Sequence, residues 1–186
     1  MSDLETRGYI KSGLIQTYSG RAFDVCDPAR TIDIIDIATA LSRQTRFAGH
    51  NLRFLSVAEH CVNVASFAPD HLKLTALMHD ASEAYLVDIP RPIKPLLKGY
   101  YEIEDHLMKE IALKYGFEWP LPTEIKSLDA RHLFDEREQN MAPLIDQTND
   151  IWGDPLPPLG VKLQFWSPDR AQSEFLDAFD RYGGER

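Results

Sequence analysis

A chain of 186 residues, 44% of them hydrophobic, can bury a sizeable core as one domain without a metal or disulfide staple for stability. Its formal net charge of −9 repels polyanions, which argues against nonspecific binding to DNA, RNA or anionic membranes; a small phosphorylated ligand stays possible if a metal or a local basic cluster receives it. Cys26 and Cys61 are too few for a disulfide framework, the start "MSDLETRGYIKSG" is unlike a secretory signal, and no apolar run approaches the ~20 residues that span a bilayer, so a soluble, cytoplasmic protein is expected.

In chain order, "TYSGRAFDVCDPAR" is interrupted by Gly20, Asp27 and Pro28, while Phe23 and Val25 suggest a short extended piece, at most an N-terminal hairpin. "TIDIIDIATALSRQTRF" sets Ile34, Ile35, Ala38 and Leu41 at helical spacing, with Thr31 or Asp33 to cap it. "SVAEHCVNVASFA" opens with Ser56 and Glu59 in a capping-box arrangement and puts His60 in the first turns of a helix, where Cys61 reads as a reduced, buried thiol. "PDHLKLTALMHDASEAYL" carries Leu72, Ala76 and His79 on one stripe until the prolines of "DIPRPIKP" stop it.

"YYEIEDHLMKEIALKYG" is amphipathic through Ile103, Leu107, Ile111 and Leu113 and is ended by Gly116. "TEIKSLDARHLFDEREQNMA" takes Thr123 as its cap and turns Ile125, Leu128, His132 and Leu133 inward. After the connector "GDPLPPLG", Ser167 and Pro168 start a last helix. The expected fold class is all-α: a single-domain bundle over 1–186 with about six helices and little strand.

Charge inside the third of these helices poses the functional question. At ~100° per residue, Glu83 lies ~40° round from His79 and Asp80 ~60° beyond Glu83, so all three share one sector of an otherwise apolar helix. An unpaired buried carboxylate costs several kcal/mol or more, so a metal, a cationic side chain or a cleft must compensate. Imidazole and carboxylate are standard ligands of divalent ions, and further candidates come from His60 on the preceding helix and from Asp129, flanked by Leu128 and Leu133 on a later one.

A histidine on one helix, an adjacent His-Asp on the next and a distant Asp resemble the HD-domain metal-dependent phosphohydrolase superfamily. "RFAGHNLRFLSVAEH" followed by "HDASEAYLVDIPRPIK" is similar to its compact branch, which includes bacterial 5'-deoxynucleotidases and phage dATP triphosphohydrolases; the motif-bearing core is about 46–137. The resemblance implies an HD-type bundle in which His60, His79, Asp80 and Asp129 hold a divalent ion (Mn, Co, Zn, Fe, Ni or Mg). It matches Glu83 and Asp88 to further acidic positions, Arg46 to an arginine upstream of the first histidine and Lys94 to a lysine after the D-x-P-x-P turn.

In that frame Glu83 is the candidate general base, Asp88 orients the same water or protonates the leaving oxygen, and Arg46 and Lys94 bind phosphate oxygens, with Arg53, Arg91 and Lys98 as weaker candidates. His50, near Arg46, is a further candidate for touching substrate. Ordinary readings stand beside these. Asp88 can serve its own turn, Lys94 can be a solvated turn lysine, His71, His106 and His132 read as surface or packing residues, Trp119, Trp152 and Trp166 as core or interface, and "FDEREQN" as a solvated face whose Glu136 shares a side with Asp129. The expected function is hydrolysis of a nucleotide, foremost a deoxynucleotide, as a 5'-nucleotidase or a triphosphohydrolase; the alternative is a metal-containing nucleotide-binding or regulatory protein without turnover. A diiron oxygenase relative needs a histidine cluster that the chain lacks. The partners implied are a small-molecule nucleotide and, by resemblance, further copies of the chain as a homo-oligomer, with no polymeric nucleic acid and no membrane.

Overall fold

Seven α-helices and one two-stranded hairpin form the residues described by the computed structural model, 13–145 and 156–185. The start of the chain to residue 12, Trp152 and Gly153–Pro155 of the connector lie outside the described residues. Strands β1 (Leu14–Gln16) and β2 (Ala22–Asp24) pair antiparallel with Ile15 opposite Phe23. Phe23 leaves the hairpin for the core, where its ring stacks on Tyr85 with centroids 3.8 Å apart.

Helix α1 (Ile34–Arg43) is capped by Asp33, not Thr31: the Asp33 carboxylate accepts the Ile35 N–H at 2.9 Å. It stops short of Phe47. Arg46–Gly49 instead form a tight turn in which Phe47 and Ala48 adopt φ of 56° and 50°, left-handed values that cost side-chain-bearing residues about 1 kcal/mol or more each. Helix α2 (Val57–Phe67) starts at Ser56, whose Oγ accepts the Glu59 N–H at 3.0 Å. The other half of the expected capping box is absent. Glu59 turns away from its own helix to accept the backbone N–H groups of Gln164, Phe165 and Trp166 at 2.8, 2.9 and 2.6 Å, fastening the segment that leads to the last helix.

The expected third helix is two short ones, α3 (Lys73–Leu77) and α4 (Glu83–Leu86), which is why seven helices stand among the described residues where six were expected. Helix α5 (Tyr100–Tyr115) ends on Gly116, left-handed at φ 71°. Two apolar residues assigned to its inner face are outside: Ile103 is 40% and Leu113 80% exposed, while Met108, Ala112 and Tyr115 join Leu107 and Ile111 in the core. Helix α6 (Thr123–Asn140) takes Pro122 rather than Thr123 at its N-cap and buries Phe134 more fully than Leu133. Helix α7 (Pro168–Arg181) begins with Pro168 at its first position, as expected, and Ser167 caps it.

Helix α2 packs against α1, α3, α6 and α7, so a residue on its inner face is surrounded by other elements. Val64 of α2 shares one core with Ile37, Leu41, Leu77, Leu107, Ile111, Phe175 and Phe179, all fully buried and each worth about 1.5–3 kcal/mol of apolar transfer. Among the described residues no helix is long and apolar enough to cross a membrane.

Glu59→Ala removes one acceptor from three backbone donors, two of which contact the same oxygen. At about 1.5–3 kcal/mol per charged hydrogen bond, partly recovered by water, the expected loss is about 3 kcal/mol. That lowers the thermal midpoint by roughly 6–12 °C in a chain of this size, and calorimetry of Glu59→Ala beside Glu59→Gln checks it.

Candidate metal centre and its cleft

His60, the fourth residue of α2, is fully buried at the helix crossing. His79 and Asp80 occupy the break between α3 and α4. The His79 Nδ1 hydrogen-bonds the Ala76 carbonyl at 2.7 Å, the oxygen that a continuing α-helix would offer to the Asp80 N–H. The chain then closes tighter turns, Ala81 N–H to Met78 O and Glu83 N–H to Asp80 O, both at 3.0 Å. The helical-wheel angles expected for His79, Asp80 and Glu83 therefore do not describe this segment. It is the break that turns two adjacent side chains into one space, with His79 Nε2 and Asp80 Oδ2 3.3 Å apart.

Helix α6 brings Asp129 to the same point. Its Oδ1 lies 3.3 Å from His60 Nε2 and 3.9 Å from His79 Nε2. The two Nε2 atoms are 3.2 Å apart, and Asp80 Oδ2 is 3.7 Å from His60. Each imidazole nitrogen thus has the other and both carboxylates within 4 Å, the two carboxylates approaching the histidine pair from different parts of the chain.

The proton positions give this convergence its chemical meaning. A carbonyl only accepts, so His79 Nδ1 carries a proton and neutral His79 turns the lone pair of Nε2 inward. His60 Nδ1 meets Glu136 Oε1 at 2.8 Å. Burial opposes ionisation of Glu136, but Arg46 and His60 outweigh it and hold its carboxyl down at about 2, so His60 too donates through Nδ1. Two lone pairs and two carboxylate oxygens then confront each other unless positive charge lies between them. With a proton as that charge, His60 rises to about 10: burial and Arg46 work against it, and Glu136 and Asp129 prevail. Asp129 is held below the usual carboxylate range, burial being overcome by His60, His79 and Arg91.

A divalent ion meets the same demand with all four atoms as donors, and the mixed nitrogen and oxygen set suits zinc, manganese, iron, cobalt or nickel better than an all-oxygen ion. Buried histidine, aspartate and glutamate groups here can hold a metal ion. Cys61 also lies beside His79 and Asp80, but burial, first, and the nearby carboxylates push its thiol up, so it remains a protonated and poor donor.

Around the cluster the other candidates fall into two groups. Arg46 gives Nε and Nη2 to Glu136 Oε2, both at 3.3 Å, and directs Nη1 to Asp88 at 3.4 Å and Asp80 at 3.9 Å. Asp88 therefore answers Arg46 with its carboxylate, while its own N–H goes to Gln44 Oε1 at 3.0 Å. Burial raises its pKa despite Arg46. Glu83, buried at the start of α4, has Oε1 3.3 Å from Lys94 Nζ, and its Oε2 is buried with no hydrogen-bond partner among the described residues. Burial, then the charges of Asp80 and Asp88, push Glu83 well above its ordinary value. Lys94 is closer still to Glu104, at 2.7 Å. His50 is exposed on the turn after Gly49, and no short contact joins it to the cluster among the described residues.

The largest correction falls on "FDEREQN". Asp135, Glu136 and Asn140 are buried, not solvated: Glu136 holds His60 and Arg46, and Asp135 accepts the N–H groups of Leu159 and Gly160 at 2.9 Å each. The signal was its spacing, since seven residues are two turns and put Glu136 on the side of Asp129. His132, one turn before Glu136, is a buried packing residue whose ring stacks on His60 at 5.2 Å. Arg91 also has a firmer place than expected, with Nη2 2.7 Å from Asp129 Oδ2. Beside the cluster a cavity of about 320 Å³ is lined by His79, Asp80 and Asp129 together with Arg91, Lys94 and Lys126.

Fold and site together define a helical protein with a buried histidine–carboxylate centre able to hold a metal ion. No family model matches the sequence. The chain is 42% identical over 125 residues to the uncharacterized protein YfdR of Escherichia coli (strain K12), covering 66% of this chain and 70% of that one. It is 33% identical over 174 residues to the uncharacterized protein RCAP_rcc00048 of Rhodobacter capsulatus, covering 84% of this chain and 89% of its relative. The chain belongs to the family that includes these two proteins.

Because Glu136 orients His60 through Nδ1, Glu136→Gln keeps an acceptor but gives up the charge. Metal affinity measured by equilibrium dialysis with Mn²⁺ is expected to fall about tenfold, in the range found for partners behind metal-bound histidines. Unchanged affinity would show that His60 is held by packing alone.

Proposed function

We propose that the protein is a divalent-metal-dependent phosphohydrolase of the HD-domain type acting on nucleotides, with deoxynucleotides as the first substrates to test. The observation that carries this reading is the approach of Asp80 and Asp129 to the His60–His79 pair, every contact of the two imidazoles lying within 3.2–3.9 Å, with a buried, unpartnered Glu83 oxygen on the next turn. A site that served only to brace the fold has no use for that extra carboxylate. The resemblance of these residues to the HD-domain superfamily points the same way. On this reading the protein acts in the cytoplasm as a homo-oligomer, which light scattering tests.

A divalent ion bound by those four residues supplies polarisation of a phosphoryl oxygen and a water of lowered pKa. Glu83 then receives the proton that the attacking water gives up as its oxygen bonds to phosphorus, a task that a carboxylate of raised pKa performs well near neutral pH. The phosphorus–oxygen bond to the leaving group breaks, and Asp88, whose pKa burial also raises, is the acid that returns a proton to the leaving oxygen. Lys94 is already bonded to Glu83 and Glu104, so its first duty is to fix the base. Arg46 turns Nη1 towards Asp80 and Asp88, where a phosphate oxygen can take over one of its contacts.

Phosphate or tripolyphosphate release is to be measured for deoxynucleoside and ribonucleoside mono- and triphosphates with Mn²⁺, Co²⁺, Ni²⁺, Zn²⁺, Fe²⁺ and Mg²⁺. Glu83→Gln is expected to lower kcat by about 10²–10⁴ while metal binding persists. A metal-loaded protein that binds nucleotides but turns none over would make it the nucleotide-binding or regulatory protein of the alternative reading.

A further inference from the structure

The cavity beside the metal centre changes character along its length. Asp129 and Ile125 are one turn apart on α6, about 6 Å along the helix axis. At the Asp129 end the walls are charged. At the Ile125 end, Ile125 and Met108 form a fully buried floor, and the half-buried Trp119 and Leu121, from the segment between α5 and α6, complete an apolar wall. Trp119 commits its indole N–H, its one polar side-chain group, to Asp105 Oδ1 at 3.0 Å, outside the cavity lining.

We propose that this apolar end, with Trp119 as its wall, is a compartment for the planar base of a nucleotide whose phosphate lies at the metal centre. The inference rests on the function proposed above and extends it from the bond that is cut to the part of the substrate that is recognised. Charge selects the occupant. A polyphosphate extending into this end would leave its anions against Trp119, Leu121, Met108 and Ile125, with Lys126 exposed beside Ile125 and Lys94 already bonded to Glu83 and Glu104, whereas an aromatic base offers a π-face and an uncharged edge. Volume selects it as well: about 320 Å³ is at the small end of ligand pockets, enough for one compact molecule and too little for a long chain. Trp119 is thus assigned a base-stacking role where the sequence favoured core or interface.

Two measurements test the compartment. The first titrates the metal-loaded protein with 2'-deoxyadenosine, which has no bond that the metal centre can hydrolyse, and with 2-deoxyribose, followed by calorimetry in the wild type, Trp119→Ala and Trp119→Phe. Deoxyadenosine is expected to bind and deoxyribose not. Trp119→Ala is expected to weaken deoxyadenosine about tenfold, a typical effect of losing one base–aromatic stack, and Trp119→Phe to keep most of the affinity. The second compares kcat/KM for 2'-deoxyadenosine 5'-phosphate with that for 2-deoxyribose 5-phosphate; Trp119→Ala should lower this ratio about tenfold, and Trp119→Phe should restore it. Equal binding of deoxyadenosine by all three proteins, or an unchanged ratio, overturns the compartment. Deoxyadenosine binding that depends on Trp119 with no phosphate release from any substrate leaves the compartment standing and overturns the hydrolase reading.

Discussion

Positive charge is required at the point where His60, His79, Asp80 and Asp129 meet, and much of the surrounding structure follows from that requirement. Each imidazole is fixed from behind, His60 by Glu136 and His79 by the Ala76 carbonyl, so neither ring can turn a proton inward without taking on a charge. Asp129 adds a carboxylate that its neighbours keep ionised. Such an arrangement is unstable as a set of neutral or anionic groups in a low-dielectric interior. A proton on His60 relieves part of it, and a divalent ion relieves more.

The wider network is acidic in the same sense. Asp80, Glu83, Asp88, Glu104, Asp129 and Glu136 are six carboxyl groups, and the permanent cations among them are Arg46, Lys94 and Arg91. Three carboxylates therefore remain in excess. Burial and the neighbouring carboxylates raise the pKa of Glu83 and Asp88, and the two charges of a metal ion would offset two of the three. The acidity that looks like a liability in the sequence gathers into a group able to hold a cation, and Arg46, Glu136 and His60 form an internal brace behind it.

What could be read from the sequence was whatever a local pattern could carry. Ser56 and Ser167 announce helix starts, Gly116 a helix end, and Phe23 beyond Gly20 a short hairpin, because each depends on a few neighbouring residues. Asp129 could be seen as buried because Leu128 and Leu133 flank it on a helix. Glu136 obeys the same geometry but stands in a run of charges that resembles solvated surface, and what makes its burial tolerable is Arg46, 90 residues away. The break at Met78 is equally hidden, since Leu72, Ala76 and His79 keep helical spacing; a single side-chain bond to the Ala76 carbonyl decides it. Glu59 follows the capping-box pattern in sequence and yet serves a segment 105 to 107 residues away. Each of these depends on long-range pairing or on one polar contact, and neither leaves a mark in periodicity.

The site divides its work between rigid and adaptable parts of the chain. The groups that face one another at the centre stand on α2, on the α3–α4 break and on α6, all packed into the core, whereas Arg91 and Lys94 lie on the proline-punctuated segment that follows Val87, itself held at φ 72°. That segment is fastened to the site by charge, Arg91 to Asp129 and Lys94 to Glu83 and Glu104. Asp129 serves both parts at once, with Oδ1 towards His60 and Oδ2 towards Arg91. The carboxylate that would face a bound cation is thus the one that holds Arg91, whose side chain is 68% exposed and lines the cavity. One carboxylate therefore links the rigid helices of the centre to the adaptable segment, and on the proposed reading a cation at the centre and an anion at Arg91 would compete for or share it.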